Sequence, residues 1–152
     1  MLVTASSLPA SEIPDTTTAY LFPSFRRIEA LPHEVSAWRN FATAYLKADT
    51  LHPMHAPLSP AQKAALTRDF SAAAALPAPT PITHPVILIC GHGGRDARCG
   101  TLGPILQRQF RVELDKRGVK GEVAQISHIG GHKYAGNVII YLPPGWGSVE
   151  GE

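Results

Sequence analysis

The chain has 152 residues, enough for one ordinary domain with extensions, and a hydrophobic share of 44% supports a packed core. A net charge of +2 lacks the marked basic excess of a dedicated nucleic-acid binder. No apolar run approaches the roughly 18 residues of a membrane span, so no membrane insertion is expected.

Residues 1–33 read as an extended lead-in, rich in Ser, Thr and Pro at its start, with one apolar patch at Tyr20-Leu21-Phe22. Met1 to Ala19 contains no Lys or Arg, so neither a signal peptide nor an arginine-rich transit peptide is visible. Residues 34–75 read as a helical segment. Between Glu34 and Ala48, Val35, Trp38, Phe41, Ala42, Tyr45 and Leu46 recur at helical spacing. The run His52-Pro53-Met54-His55-Ala56-Pro57 breaks that helix. Ser59-Pro60-Ala61-Gln62 starts another, with Ser59 as cap, Pro60 in the first turn and Gln62 completing a capping box. This second helix is expected to reach about Ala75. Residues 76–85 carry Pro77, Pro79, Pro81 and Pro85 and read as a stiff linker.

Residues 86–152 read as a compact unit. Val86-Ile87-Leu88-Ile89 is apolar and rich in β-branched residues, the pattern of a buried central strand. Gly91 to Gly103 reads as a loop and Pro104 to Arg117 as a helix stopped by Gly118. Glu122 to Ser127 and Asn137 to Leu142 read as strands. The order is β-loop-α-β-loop-β, an α/β (α+β) arrangement. If the first two strands are parallel, both loops emerge at one sheet end, where ligands of such sheets collect.

Cys90 and Cys99 are the only cysteines, and both lie in the glycine-rich run from Cys90 to Gly100. Downstream stands His128-Ile129-Gly130-Gly131-His132. The glycines disfavour a helix and allow both rings to converge. Cys90, Cys99, His128 and His132 are therefore the candidate ligands. Two cysteines do not make a secreted disulfide framework, which favours a reducing compartment, cytosol or mitochondrial matrix, over a structural disulfide. A redox dithiol is usually C-x-x-C, unlike the C-x8-C spacing here. Two Cys with two His also suit zinc, although zinc knuckles favour closer cysteines. Spacing alone leaves zinc and an iron–sulfur cluster open. His33, His52, His55, His84 and His92 read as ordinary polar residues, and Arg95, Arg98, Arg108 and Arg111 as a solvated face.

The run from His84 to Leu142 resembles the thioredoxin-like ferredoxin domain of the sucrase/ferredoxin-like family. The matching pieces are Ile89-Cys90-Gly91-His92-Gly93, Arg95-Asp96-Ala97-Arg98-Cys99-Gly100 and Ser127-His128-Ile129-Gly130-Gly131-His132-Lys133-Tyr134-Ala135-Gly136-Asn137. Thr18 to Phe25, Leu51-His52-Pro53 and Leu58-Ser59-Pro60 look like its mitochondrial fungal branch. Against that family the N-terminal region reads as short, and the domain as shortened beyond its third strand.

The resemblance implies a [2Fe–2S] cluster, with Cys90 and Cys99 on one iron and His128 and His132 on the other. It implies an electron-transfer or redox-homeostasis protein that works with a redox partner protein, not a self-contained enzyme. The expected potential lies in the range of roughly −150 to +300 mV for centres with two histidine ligands, with a proton accompanying the electron. The alternatives are a zinc-stabilised structural domain and a thiol oxidoreductase.

Overall fold

The structure, a computed structural model, describes residues 3–127, 129–130 and 134–146. It comprises two compact units: residues 10–81, and residues 3–9 together with the described residues from Ile82 onward.

In the unit of residues 10–81, β1 (Thr16–Leu21) pairs antiparallel with β2 (Arg26–Pro32), and the short β3 (Thr80–Pro81) joins β2. Paired strands therefore stand where the sequence reads as an extended lead-in. Thr16-Thr17-Thr18 is a β-branched run that suits a pleated surface. Ile28 and Leu31 are both fully buried although three residues apart. Between them Ala30 takes a φ of 54°, and the register shifts between Thr17 and Ala19. The helix expected from Glu34 is present as α1 (Val35–Phe41), continued by a π-helical stretch over Ala42–Leu46. It buries Ala37 and Phe41 against Ile28 and Leu31, with Tyr45, Leu46 and Leu76 packed around them.

The capping box forms as expected on α2 (Pro60–Leu66). The Gln62 amide N–H donates to Ser59 Oγ at 3.3 Å, and the Ser59 N–H donates to Gln62 Oε1 at 2.9 Å. This helix stops at Leu66, well short of Ala75. Thr67 is extended, and the Asp69 carboxylate accepts the Ser71 N–H at 2.9 Å, starting a separate 3-10 stretch over Phe70–Ala75. The local side-chain acceptor at Asp69 outcompetes continuation of the helix.

The other unit is a sheet in the order β5-β4-β6, with β4 (Val86–Cys90) central, β5 (Glu122–Ile126) parallel to it and β6 (Val138–Tyr141) antiparallel. Every β4 residue is buried, as its unbroken apolar run requires. The helix α3 (Ala97–Lys116) packs Leu106, Phe110 and Leu114 against Ile87, Ile89 and Val123. Residues 3–9 lie along the other edge of β5. Ser6 bridges Ile126, the Ser7 N–H donates to Gln125 O at 2.8 Å, and the Ser127 N–H donates to Ala5 O at 2.9 Å. The fold is mixed α/β, built from two small sheets and several helices.

α3 corrects the expected loop from Gly91 to Gly103. The helix begins at Ala97, seven residues before Pro104. Asp96 caps it, and its carboxylate accepts the Arg98 N–H at 2.9 Å. Gly100, Gly103 and Pro104 are poor helix residues. The place of Gly100 and Gly103 in the first two turns follows from close packing against the backbone of Gly93 and Gly91.

Candidate functional site

Cys90 is the last residue of β4 and is clamped by both neighbouring strands. Its N–H donates to Asn137 O at 2.8 Å, and the next N–H, of Gly91, donates to Ile126 O at 3.1 Å. The chain then turns tightly: the Gly93 N–H reaches Gly91 O at 2.9 Å, and the Arg95 and Asp96 N–H groups both reach His92 O. Asp96 follows as the helix cap, and Cys99 falls in the first turn of α3. The turn and the cap together return the chain, so that the Cys99 thiol stands beside the Cys90 thiol.

Both cysteines are free, with Cys90 0% and Cys99 2% exposed. Burial pushes the Cys90 thiol above its ordinary pKa. The backbone N–H groups of His92 and Ile129 bond its sulfur and oppose that rise, while the neighbouring Cys99 thiol adds to it. The protonated thiol is therefore the resting form of Cys90 at neutral pH. Beside it, the Arg98 guanidinium holds the Asp96 carboxyl below the usual carboxylate range, with N–H···O contacts of 2.9 and 3.1 Å. The carboxylate also accepts the backbone N–H groups of Arg98 and Cys99. One side chain thus caps the helix and fixes the segment that carries Cys99.

The structure brings Cys90 and Cys99 together. His128 and His132, the other two expected ligands, lie outside the described residues. Among the described residues, no group of three or more His, Cys, Asp or Glu side chains is placed to hold a metal ion.

Three further roles escape the sequence. Asp96 is invisible as a cap while α3 is expected to start at Pro104; an Asp just ahead of a helical run was the available signal. Arg111, expected on a solvated face, donates to Val123 O at 3.0 Å. Gln107 reaches the same carbonyl at 3.0 Å and accepts from Gln125 at 2.9 Å, tying α3 to β5. His84, expected as an ordinary polar residue, stands 3.4 Å from the Glu122 carboxylate at the far end of β4. That pair is readable only once the parallel register sets Val86 opposite Glu122.

A mixed α/β fold with a glycine-rich turn between a buried strand-end cysteine and a helix-start cysteine defines the class. The chain belongs to the sucrase/ferredoxin-like family, whose model matches residues 1–152. It is 53% identical over 64 residues to altered inheritance of mitochondria protein 32 of Meyerozyma guilliermondii, covering 41% of this chain and 22% of that protein. The protein of the same name from Clavispora lusitaniae is 47% identical over 70 residues, covering 44% of this chain and 26% of that one. The Saccharomyces cerevisiae protein is 52% identical over 54 residues, covering 36% and 17%. The matched stretches thus span about a sixth to a quarter of these relatives. No solved structure matches the chain.

The family expectation is confirmed, but the function drawn from it is corrected. A [2Fe–2S] electron carrier with two-Cys/two-His ligation, or a zinc domain on the same residues, requires four converging donors. Among the described residues only two of these donors, Cys90 and Cys99, come together, and no group of three or more is placed to hold a metal ion. His128 and His132 lie outside the described residues, so the described structure supports no four-ligand group. Among the described residues, no helix is long and apolar enough to cross a membrane.

Proposed function

We propose that this chain is a redox-responsive protein of mitochondrial association whose working group is the Cys90–Cys99 thiol pair. The observation that carries the reading is the contact of these two buried thiols across a C-x8-C interval. That spacing argues against a dithiol centre in sequence, but the Asp96-capped return of the chain closes it. The mitochondrial part rests on the name of the fungal relatives, altered inheritance of mitochondria protein 32.

The chemistry is a two-electron couple. One cysteine sulfur attacks the distal oxygen of a hydroperoxide; the O–O bond breaks and the alcohol (water, for hydrogen peroxide) leaves. The resulting sulfenic acid is attacked by the second sulfur, water leaves, and the S–S bond forms. Two thiols and one hydroperoxide give one disulfide, one alcohol and one water. Burial of both sulfurs restricts the reaction to small oxidants. The raised pKa of Cys90 makes its part in the reaction speed up as pH rises, because the thiolate is the nucleophile.

The test is mass spectrometry of the reduced full chain after hydrogen peroxide, with and without dithiothreitol. The expected result is loss of one hydrogen pair, restored by dithiothreitol and absent in Cys90→Ser and Cys99→Ser. Thiols that stay reduced under conditions that oxidise free glutathione would overturn the reading. So would purified protein carrying stoichiometric iron and sulfide, or zinc, lost on Cys90→Ser.

A further inference from the structure

Without residues 3–9, β5 would be an outer strand of its sheet, and an outer strand frays at its end. Ser6 bridges Ile126 on one side, and on the other Ile126 stands opposite Cys90 in the parallel register. At Ser127 side chains close this edge. The Ala5 N–H donates to Ser127 Oγ at 3.2 Å, the Ser127 N–H donates to Ala5 O at 2.9 Å, and the Thr4 and Ser127 hydroxyls are hydrogen-bonded to each other. Two positions on, the Ile129 N–H bonds the Cys90 sulfur. One position further, Gly130 turns with a φ of 95°, and its carbonyl accepts the Asn137 side-chain amide at 3.1 Å. Asn137 is itself fixed to β4, since its own carbonyl accepts the Cys90 N–H at 2.8 Å. The N–H that reaches the sulfur therefore lies between two held residues. Ser127 is held by the opening segment, and Gly130 by the residue just ahead of β6.

We propose that Thr4 and Ser127 are positioning residues for Cys90: with Ala5 they stake the start of the loop after β5, and so hold the Ile129 N–H on the Cys90 sulfur. The opening segment of the chain is thereby part of the site, although it lies on the far side of β5 from the sulfur. The inference rests on Cys90 as a working group of the reading above, and needs no bond between the two sulfurs. A backbone N–H two residues from its anchor loses its aim when the anchor frays, because each residue between them carries two soft dihedrals. Ser7 supplies the control. It belongs to the same segment, and its Oγ accepts the Gln125 N–H at 2.9 Å, but that bond lies within β5 and not at the loop.

The experiment is amide hydrogen exchange of the full chain, read residue by residue by NMR. Ser127→Ala and Thr4→Val are expected to speed exchange at Ile129 roughly three- to tenfold, the factor of one ordinary hydrogen bond. The Glu122 N–H, which donates to Pro85 O at 2.9 Å at the other end of β5, should keep its wild-type rate. Thr4→Ser keeps the hydroxyl and should behave as wild type. Ser7→Ala should speed exchange at Gln125 and leave Ile129 unchanged. If Ser127→Ala does not fold, Thr4→Val, which keeps the side-chain shape and removes the hydroxyl, decides. Wild-type exchange at Ile129 in Thr4→Val and Ser127→Ala would overturn the stake. So would equal acceleration at Ile129 and Glu122, the mark of a general loss of stability. Acceleration at Ile129 in Ser7→Ala as large as theirs would overturn it as well. Failure of the peroxide test, with the expected exchange at Ile129, would overturn the thiol reading and leave the stake in place.

Discussion

The two units solve the same packing problem with different materials. Residues 10–81 are held by large side chains: Phe41 sits among Ile28, Leu31 and Ala37, with its ring edge-on to Trp38 at 5.8 Å and tilted against Tyr45 at 5.8 Å. The unit around β4 is held partly by the absence of side chains, with Gly91, Gly93, Gly100 and Gly103 in main-chain contact. Truncation opens a cavity in the first kind of contact. Addition, not truncation, breaks the second. The thiol pair lies in the second.

The largest effects should come from core truncation, which ought to hurt both units alike. Phe41→Ala in one and Ile89→Ala in the other, both deeply buried, should each cost about 2–5 kcal/mol in urea unfolding followed by circular dichroism. Ile89→Ala should also slow peroxide-driven disulfide formation, because Ile89 precedes Cys90 on β4. If Ile89→Ala destabilises the chain but leaves that rate at the wild-type value, the core beneath Cys90 does not hold the sulfur in place.

Helix caps sharpen the comparison, since each unit has one. Ser59→Ala removes the capping box of α2, a helix with no buried residue, and should cost about 1 kcal/mol with no change in thiol chemistry. Asp96→Ala frees the segment bearing Cys99, and should reduce the yield of intramolecular disulfide in the same oxidation assay. Equal thiol yields in the two cap variants would remove the distinction between a structural cap and a positioning one.

The smallest effect is in acid. The Arg98 guanidinium depresses the folded pKa of Asp96, so the contribution of this carboxylate is present above its ordinary value, about 3.9. It is lost as pH falls through the lower folded value. Between those limits wild type should lose stability that Asp96→Asn does not have to lose. Identical acid-unfolding profiles for the two would show that the Asp96–Arg98 pair contributes nothing measurable.

Much of this was legible in the residues, and the exceptions share a cause. The β4 strand, β5, β6 and the Ser59 capping box follow from local patterns and need no partner. The start of α3 did not, because Gly100, Gly103 and Pro104 are local evidence against a helix; the backbone of Gly91 and Gly93 across the turn explains the two glycines. β1 and β2 were hidden because Thr16-Thr17-Thr18 reads as polar lead-in until Arg26–Pro32 pairs with it. Of the four candidate ligands, Cys90 and Cys99 meet through the Asp96 turn, which local spacing does not encode. His128 and His132 remain outside the described residues.

One feature of the β5 edge bears on how the chain is made. Ser6 and Ile126 bridge across an interval of 120 residues, with residues 10–81 emerging between them. At a synthesis rate of about 5–20 residues per second, the segment of residues 3–9 leaves the ribosome roughly 10 seconds before its strand exists. Residues 10–81 carry all of their own strands and can close in that interval. Residues 3–9 are then made before residues 10–81 and yet find their place after them, along the edge of the sheet that holds the thiols.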